Sequence, residues 1–138
     1  MLIKNSAYKG GLTNLQAFQV MKGFLNRYYK IVNQTLIEQD INPDLVFNDF
    51  GMLLHELKTD KNGNVINPAV WQAWLASIKQ VLPDYQENDL VNVLQSYYIT
   101  KCFLENYAKS TVADQIDMLL HQMNILTEWM NSISEVVN

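Results

Sequence analysis

Apolar residues recur at Phe18, Met21, Leu25, Tyr28, Val32 and Leu36, three or four positions apart, which lines them along one face of a helix. Ahead of them Thr13-Asn14-Leu15-Gln16 reads as a capping box, in which Thr13 and Gln16 satisfy each other's backbone donors. The pattern fades before Asn42-Pro43. A second helix is predicted from near Asp44 or Asn48, carrying Leu45, Phe50, Leu53, Leu54 and Leu57. A polar turn, Asp60-Lys61-Asn62-Gly63-Asn64, precedes a third helix that starts at Asn67-Pro68. Asn67 can cap it, and Pro68 suits the first helical position because its missing N–H is unpaired there anyway. Trp71 and Trp74 share one face of this helix, and Ile78 and Val81 extend the stripe up to Pro83. Two indoles on one face must be buried or used in binding, and both are expected in the core.

A fourth helix is predicted from near Asp84-Tyr85-Gln86-Glu87 to about Lys109; its residues Leu90 to Ala108 are apolar on most sides, which suits a central position. A fifth is expected from Thr111-Val112-Ala113-Asp114 almost to the end. The first twelve residues show no clear period. The pattern as a whole predicts an all-α fold, a compact bundle of about five helices in a single domain spanning residues 1–138.

The fifth segment also carries Ile116, Leu119, Met123, Leu126, Met130, Ile133 and Val137 at alternating spacings of three and four. Such a stripe suits either a coiled-coil dimer seam or packing inside a bundle. Leu120, Ile125 and Trp129 widen the apolar surface beyond a narrow seam, which favours the bundle and a monomer over a homodimer.

With 138 residues, 49% of them apolar and 17% charged, the chain is long and apolar enough to fold around a core. No apolar run approaches the ~20 residues that span a bilayer, and Met1 to Ser6 begin no stretch of signal-peptide length. Cys102 is the only cysteine, which points to a reducing cytoplasm. His55-Glu56 lacks the second histidine of a zinc-protease helix. His55, His121 and Cys102 have no metal-ligand spacing, so neither a metal nor a cofactor is expected. Asp60-Lys61-Asn62-Gly63-Asn64-Val65 opens like a calcium loop but has Val65 at the sixth position and Trp71 at the twelfth, which leaves a polar turn. With no phosphate loop and no nucleophile elbow either, the expectation is a protein without catalytic residues, not an enzyme.

Charge divides the chain unevenly. Residues 1–69 hold seven basic and six acidic side chains; residues 70–138 hold three basic and eight acidic. An acidic surface of the second half, including Asp84, Glu87, Asp89, Glu105, Asp114 and Asp117, would repel nucleic acid and anionic membrane and steer a basic protein into contact. Asp84, Glu87, Asp114 and Asp117 are also expected near helix N-termini, where the macrodipole favours negative charge whatever the function.

The spaced residues Gly11-Leu12-Thr13, Ala17, Met21, Phe24-Leu25 and Tyr28-Tyr29, then Asp49-Phe50-Gly51, Leu53-Leu54 and Leu57, then Pro68-Ala69, Trp71 and Trp74, form one pattern over residues 11–75. This pattern resembles a helical group of bacterial immunity proteins from contact-dependent growth inhibition and polymorphic toxin systems. Asn67 and Ala73 stand where that group is expected to carry acidic residues. The resemblance implies a bacterial cytoplasmic protein that binds and neutralises a cognate toxin domain. A nuclease suits an acidic inhibitor, since nucleases present basic clefts to phosphate backbones. The acidic residues are the first candidate for the toxin-facing surface, and Arg27, Tyr28 and Tyr29 on the first helix the second. The alternative function is a structural or regulatory bundle that self-associates through its C-terminal helix.

Overall fold

A computed structural model describes residues 11–108 and 125–137, with side chains for all of these except 43–48 and 125–128. Five helices follow one another: α1 (Asn14–Glu38), α2 (Pro43–Glu56), α3 (Pro68–Val81), α4 (Val93–Tyr107) and α5 (Ile125–Val137). Among the described residues no strand forms, and the two isolated bridges are Leu12–Val91 and Thr59–Val65. The fold is the all-α bundle that the periodicity predicts.

α1 and α3 begin where side chains satisfy their first amides. At α1, Gln16 N–H donates to Thr13 Oγ1 at 3.1 Å and Thr13 N–H donates to Gln16 Oε1 at 3.0 Å. At α3, Ala69 N–H donates to Asn67 Oδ1 at 3.0 Å, with Pro68 in the first turn. α2 opens at Pro43, just ahead of Asp44, the earlier of its two expected starts, and Asn48 lies inside it.

α4 departs from expectation at its start. It begins at Val93, nine residues after Asp84, and its cap is a second capping box made by Asn92 and Gln95, both bonds at 2.8 Å. Topology explains the delay. Trp74 meets Phe103 edge-on at 5.6 Å, and further along both helices Asn106 Nδ2 donates to Gln80 Oε1 at 3.0 Å. Both pairings step forward on α3 and on α4, so the two helices run in the same sense. Residues 82–92 must therefore travel back along α3 before α4 can start. A helix begun at Asp84 would carry the chain onward instead.

α1 is the organising element. Its residues Ala17, Phe18, Val20, Met21, Phe24 and Leu25 are buried, and α2, α4 and α5 pack against it, while α3 packs on α4. Aromatic rings join the layers. Phe18 meets Trp74 edge-on at 5.5 Å, Trp74 meets Phe103, and Phe103 stacks on Tyr107 at 5.3 Å. A second group brings Phe24 to Trp129 at 5.0 Å and Trp129 to Tyr97 at 5.8 Å. Trp129 is fully buried, and its indole N–H donates to Ser96 Oγ at 3.0 Å. α4 is not apolar-buried on most sides as expected: Leu94 and Tyr98 are 54% and 50% exposed, and its buried face is Ser96, Ile99, Thr100, Phe103 and Leu104.

Within α5, Trp129 and Ile133 are buried, and Met130, Val136 and Val137 pack against the chain's own core. The helix start expected at Thr111 and the stripe positions Ile116, Leu119 and Met123 lie outside the described residues.

Candidate partner-binding surface

The turn before α3 shows how local chemistry shapes one wall of the site. Asp60 Oδ1 accepts the amides of Asn62 at 2.8 Å and Asn64 at 3.0 Å, and Gly63 adopts φ +86°, a left-handed conformation that glycine takes without Cβ strain. The Asp60 carboxylate thus holds the turn through backbone amides. The chain then passes Val65 and the 60% exposed Ile66 on its way to the Asn67 cap.

The second wall is the return segment 82–92. Tyr85 anchors it with 8% of its surface exposed, and its O–H donates to the Glu87 carbonyl at 3.3 Å. Gln86 N–H donates to Asp89 Oδ2 and Asp89 N–H donates to the Gln86 carbonyl, both at 2.9 Å. The segment ends in the Val91–Leu12 bridge, with bonds of 2.8 and 2.7 Å. Burial first, and then the Asp89 and Glu87 carboxylates, push the Tyr85 phenol above its ordinary pKa, against a hydrogen bond from the Asn14 side chain. A buried neutral phenol therefore nails a charged loop to the N-terminus of α1.

Between these walls and the outer face of α3 lies a groove of about 790 Å³, within the roughly 300–1,000 Å³ of ligand-sized clefts. Pro68, Trp71, Gln72, Leu75 and Lys79 line it from α3; Asn64, Val65 and Ile66 from the turn; Tyr85, Gln86 and Glu87 from the return segment; Asn14 and Leu15 from α1. Trp71 is half-buried, so its expected place in the core is corrected: the indole lies at the edge, meeting Phe18 at 6.0 Å on one side and lining the groove on the other. Trp74 is fully buried, as expected, and donates its indole N–H to the Asn14 carbonyl at 3.1 Å.

Of the acidic residues singled out in the sequence, Asp84, Glu87 and Asp89 come together on the return segment, all exposed. Asp84 and Glu87 do not cap a helix, contrary to expectation, because α4 starts later. Among the described residues nothing pairs with either carboxylate. Glu105 is exposed in the last turn of α4, on a different element. Asp114 and Asp117 lie outside the described residues, as does His121.

The second candidate face holds the bundle together. Arg27 forms an ion pair with Glu135 of α5 and donates to Ser132 Oγ at 3.3 Å, and Tyr28 and Tyr29 pack on Phe50 of α2 at 5.9 and 5.4 Å. Cys102 is half-buried and accepts a hydrogen bond from Asn106 Nδ2, and His55 is exposed in the last turn of α2. Among the described residues no three histidine, cysteine or carboxylate side chains gather as a metal site would require, and no helix is long and apolar enough to cross a membrane.

Sequence reasoning missed Tyr85, Leu15, Lys79 and the Val65–Ile66 wall. The groove is assembled from four separate segments, and no local pattern marks it. No family model, curated protein or solved structure matches the chain.

Proposed function

We propose that this protein is a non-catalytic immunity protein. It binds and neutralises a toxin domain, a nuclease in the first instance, that enters the bacterial cytoplasm by contact-dependent growth inhibition. The observation that carries this reading is the return segment: carboxylates of Asp84 and Glu87 that nothing pairs with among the described residues, on a backbone fixed by Tyr85 and the Val91–Leu12 bridge, bordering a groove with a half-buried tryptophan. A rigid acidic rim beside an aromatic-lined cleft suits capture of a basic protein surface, because little ordering entropy is lost on binding and opposite charges speed encounter. The resemblance over residues 11–75 supplies the biological setting. The self-associating bundle has less support, since Trp129, Ile133 and their neighbours on α5 already pack within the chain.

The test is stopped-flow association with the toxin domain encoded directly upstream, at several ionic strengths. Asp84→Lys/Glu87→Lys is compared with the wild type; Asp89 is kept because it holds the Gln86 amide. Electrostatic steering accelerates association by about 10- to 1,000-fold, so the variant should associate roughly tenfold more slowly at low salt, with a flatter salt dependence. An unchanged rate, or a wild-type rate indifferent to salt, removes this segment from the mechanism.

A further inference from the structure

We infer that the groove beside α3 seats a single arginine side chain presented by a basic partner protein. The partner's identity rests on the immunity reading; the chemistry of the seat does not.

Three features of the groove select this occupant. The half-buried Trp71 offers an indole to a guanidinium, which stacks on aromatic faces and sheds water more easily than an ammonium does. Leu15, Val65 and Leu75 provide apolar wall for a long aliphatic stem, which arginine buries readily. Glu87 contributes an exposed carboxylate that nothing pairs with among the described residues, and the side-chain oxygens of Gln72 and Gln86 can accept the remaining N–H groups of a planar five-donor fork.

The other charged and titratable groups lining the groove sharpen the choice. Lys79 lies eight residues along α3 from Trp71, about 12 Å at the helical rise, so it disfavours a cation at its own end and leaves the Trp71 end open. Tyr85 stays neutral, its phenol pushed up by burial. A lysine would bring the same charge but neither the stacking plane nor the fork. The return segment is held by hydrogen bonds at Gln86, Asp89 and Val91, so the seat is formed before the partner arrives.

The seat itself is tested without the toxin, whose binding is measured separately. The full chain, labelled with ¹⁵N, is titrated with the capped tripeptide Gly-Arg-Gly and with the same peptide carrying citrulline, the uncharged isostere. The signals read are the tryptophan indole N–H groups. The Arg peptide should shift the Trp71 signal saturably, with an affinity of about millimolar order, as suits one side chain. Trp74 and Trp129, whose indole N–H groups bond internally, should stay still. Glu87→Gln should weaken binding severalfold while leaving the free spectrum otherwise intact. No saturable shift at Trp71, or an equal response to the citrulline peptide, overturns the inference. If the peptide binds but the toxin domain does not, the seat stands and the immunity reading falls. If the toxin binds and Trp71 ignores the peptide, the reverse holds.

Discussion

Trp71 and Trp74 stand three residues apart on α3, and their fates differ. At 100° per residue they lie 60° apart around the helix, close enough to share a face and far enough to differ in depth. Trp74 points into the rings of Phe18 and Phe103 and is fully buried; Trp71 stops at the groove. Trp74→Ala should therefore cost about 3–5 kcal/mol and lower the melting temperature sharply in calorimetry. Trp71→Ala should cost well under half of that and show its main effect in partner binding. Equal melting losses for the two variants would contradict the division. The sequence makes both indoles legible as one amphipathic pair, but depth depends on Phe18 and Phe103, which arrive from α1 and α4.

A titration at high pH reads a different residue. Tyr107 donates to Glu56 Oε1 at 2.8 Å, tying α4 to α2. Burial first, then this hydrogen bond and the carboxylate's charge, push its pKa from 10.0 up to about 12. The folded state thus holds this proton more tightly than the unfolded chain. The linked stability is intact below the unfolded pKa, near 10, and is lost as pH climbs through about 12. Denaturant unfolding between these values should show stability falling with pH, with a smaller fall in Tyr107→Phe. A wild-type profile flat across that window would contradict the tie.

Among the elements, the caps were the most legible feature. Thr13–Gln16 and Asn67–Pro68 mark helix starts in the sequence and in space. Asn92–Gln95 carries the same capping pattern as Thr13–Gln16, but Asp84-Tyr85-Gln86-Glu87, with an acid three residues after another, looks like a start as well. The conflict is resolved by long-range demands: Tyr85 is buried near Asn14, and Val91 pairs with Leu12. Neither partner is visible within a local window. Asn92→Ala should cost about 1 kcal/mol through the lost cap, whereas Asp84→Ala should leave stability within about 0.5 kcal/mol, as an exposed residue outside any helix cap does. Chemical denaturation of both variants checks the assignment, and a larger loss at Asp84 than at Asn92 would return the helix start to Asp84. Gly11 completes the return path. It sits at φ +85°, and a Cβ there would come within 2.9 Å of Leu90 Cβ, so alanine at this position strains the Leu12–Val91 junction.

For the molecule as a whole, the resemblance and the site overlap only in part. Pro68 and Trp71 of the family-like pattern line the groove, while Ala17, Met21, Phe24, Leu25, Phe50, Leu53, Leu57 and Trp74 of the same pattern are buried. The buried ones are packing residues, and they specify a scaffold and not a partner. The acidic bias of residues 70–138 was legible from counting, and it locates the return segment because Asp84, Glu87 and Asp89 lie close together in the chain. The groove was not legible, since α1, the Asp60 turn, α3 and the return segment meet only on folding. The measurement that tests the proposed immunity role most directly is titration calorimetry of the full chain against an inactivated form of a toxin domain encoded directly upstream, in low and high salt. A saturable one-to-one complex that weakens with salt and on Asp84→Lys/Glu87→Lys is the predicted result; the absence of binding with both proteins at micromolar concentration would contradict it.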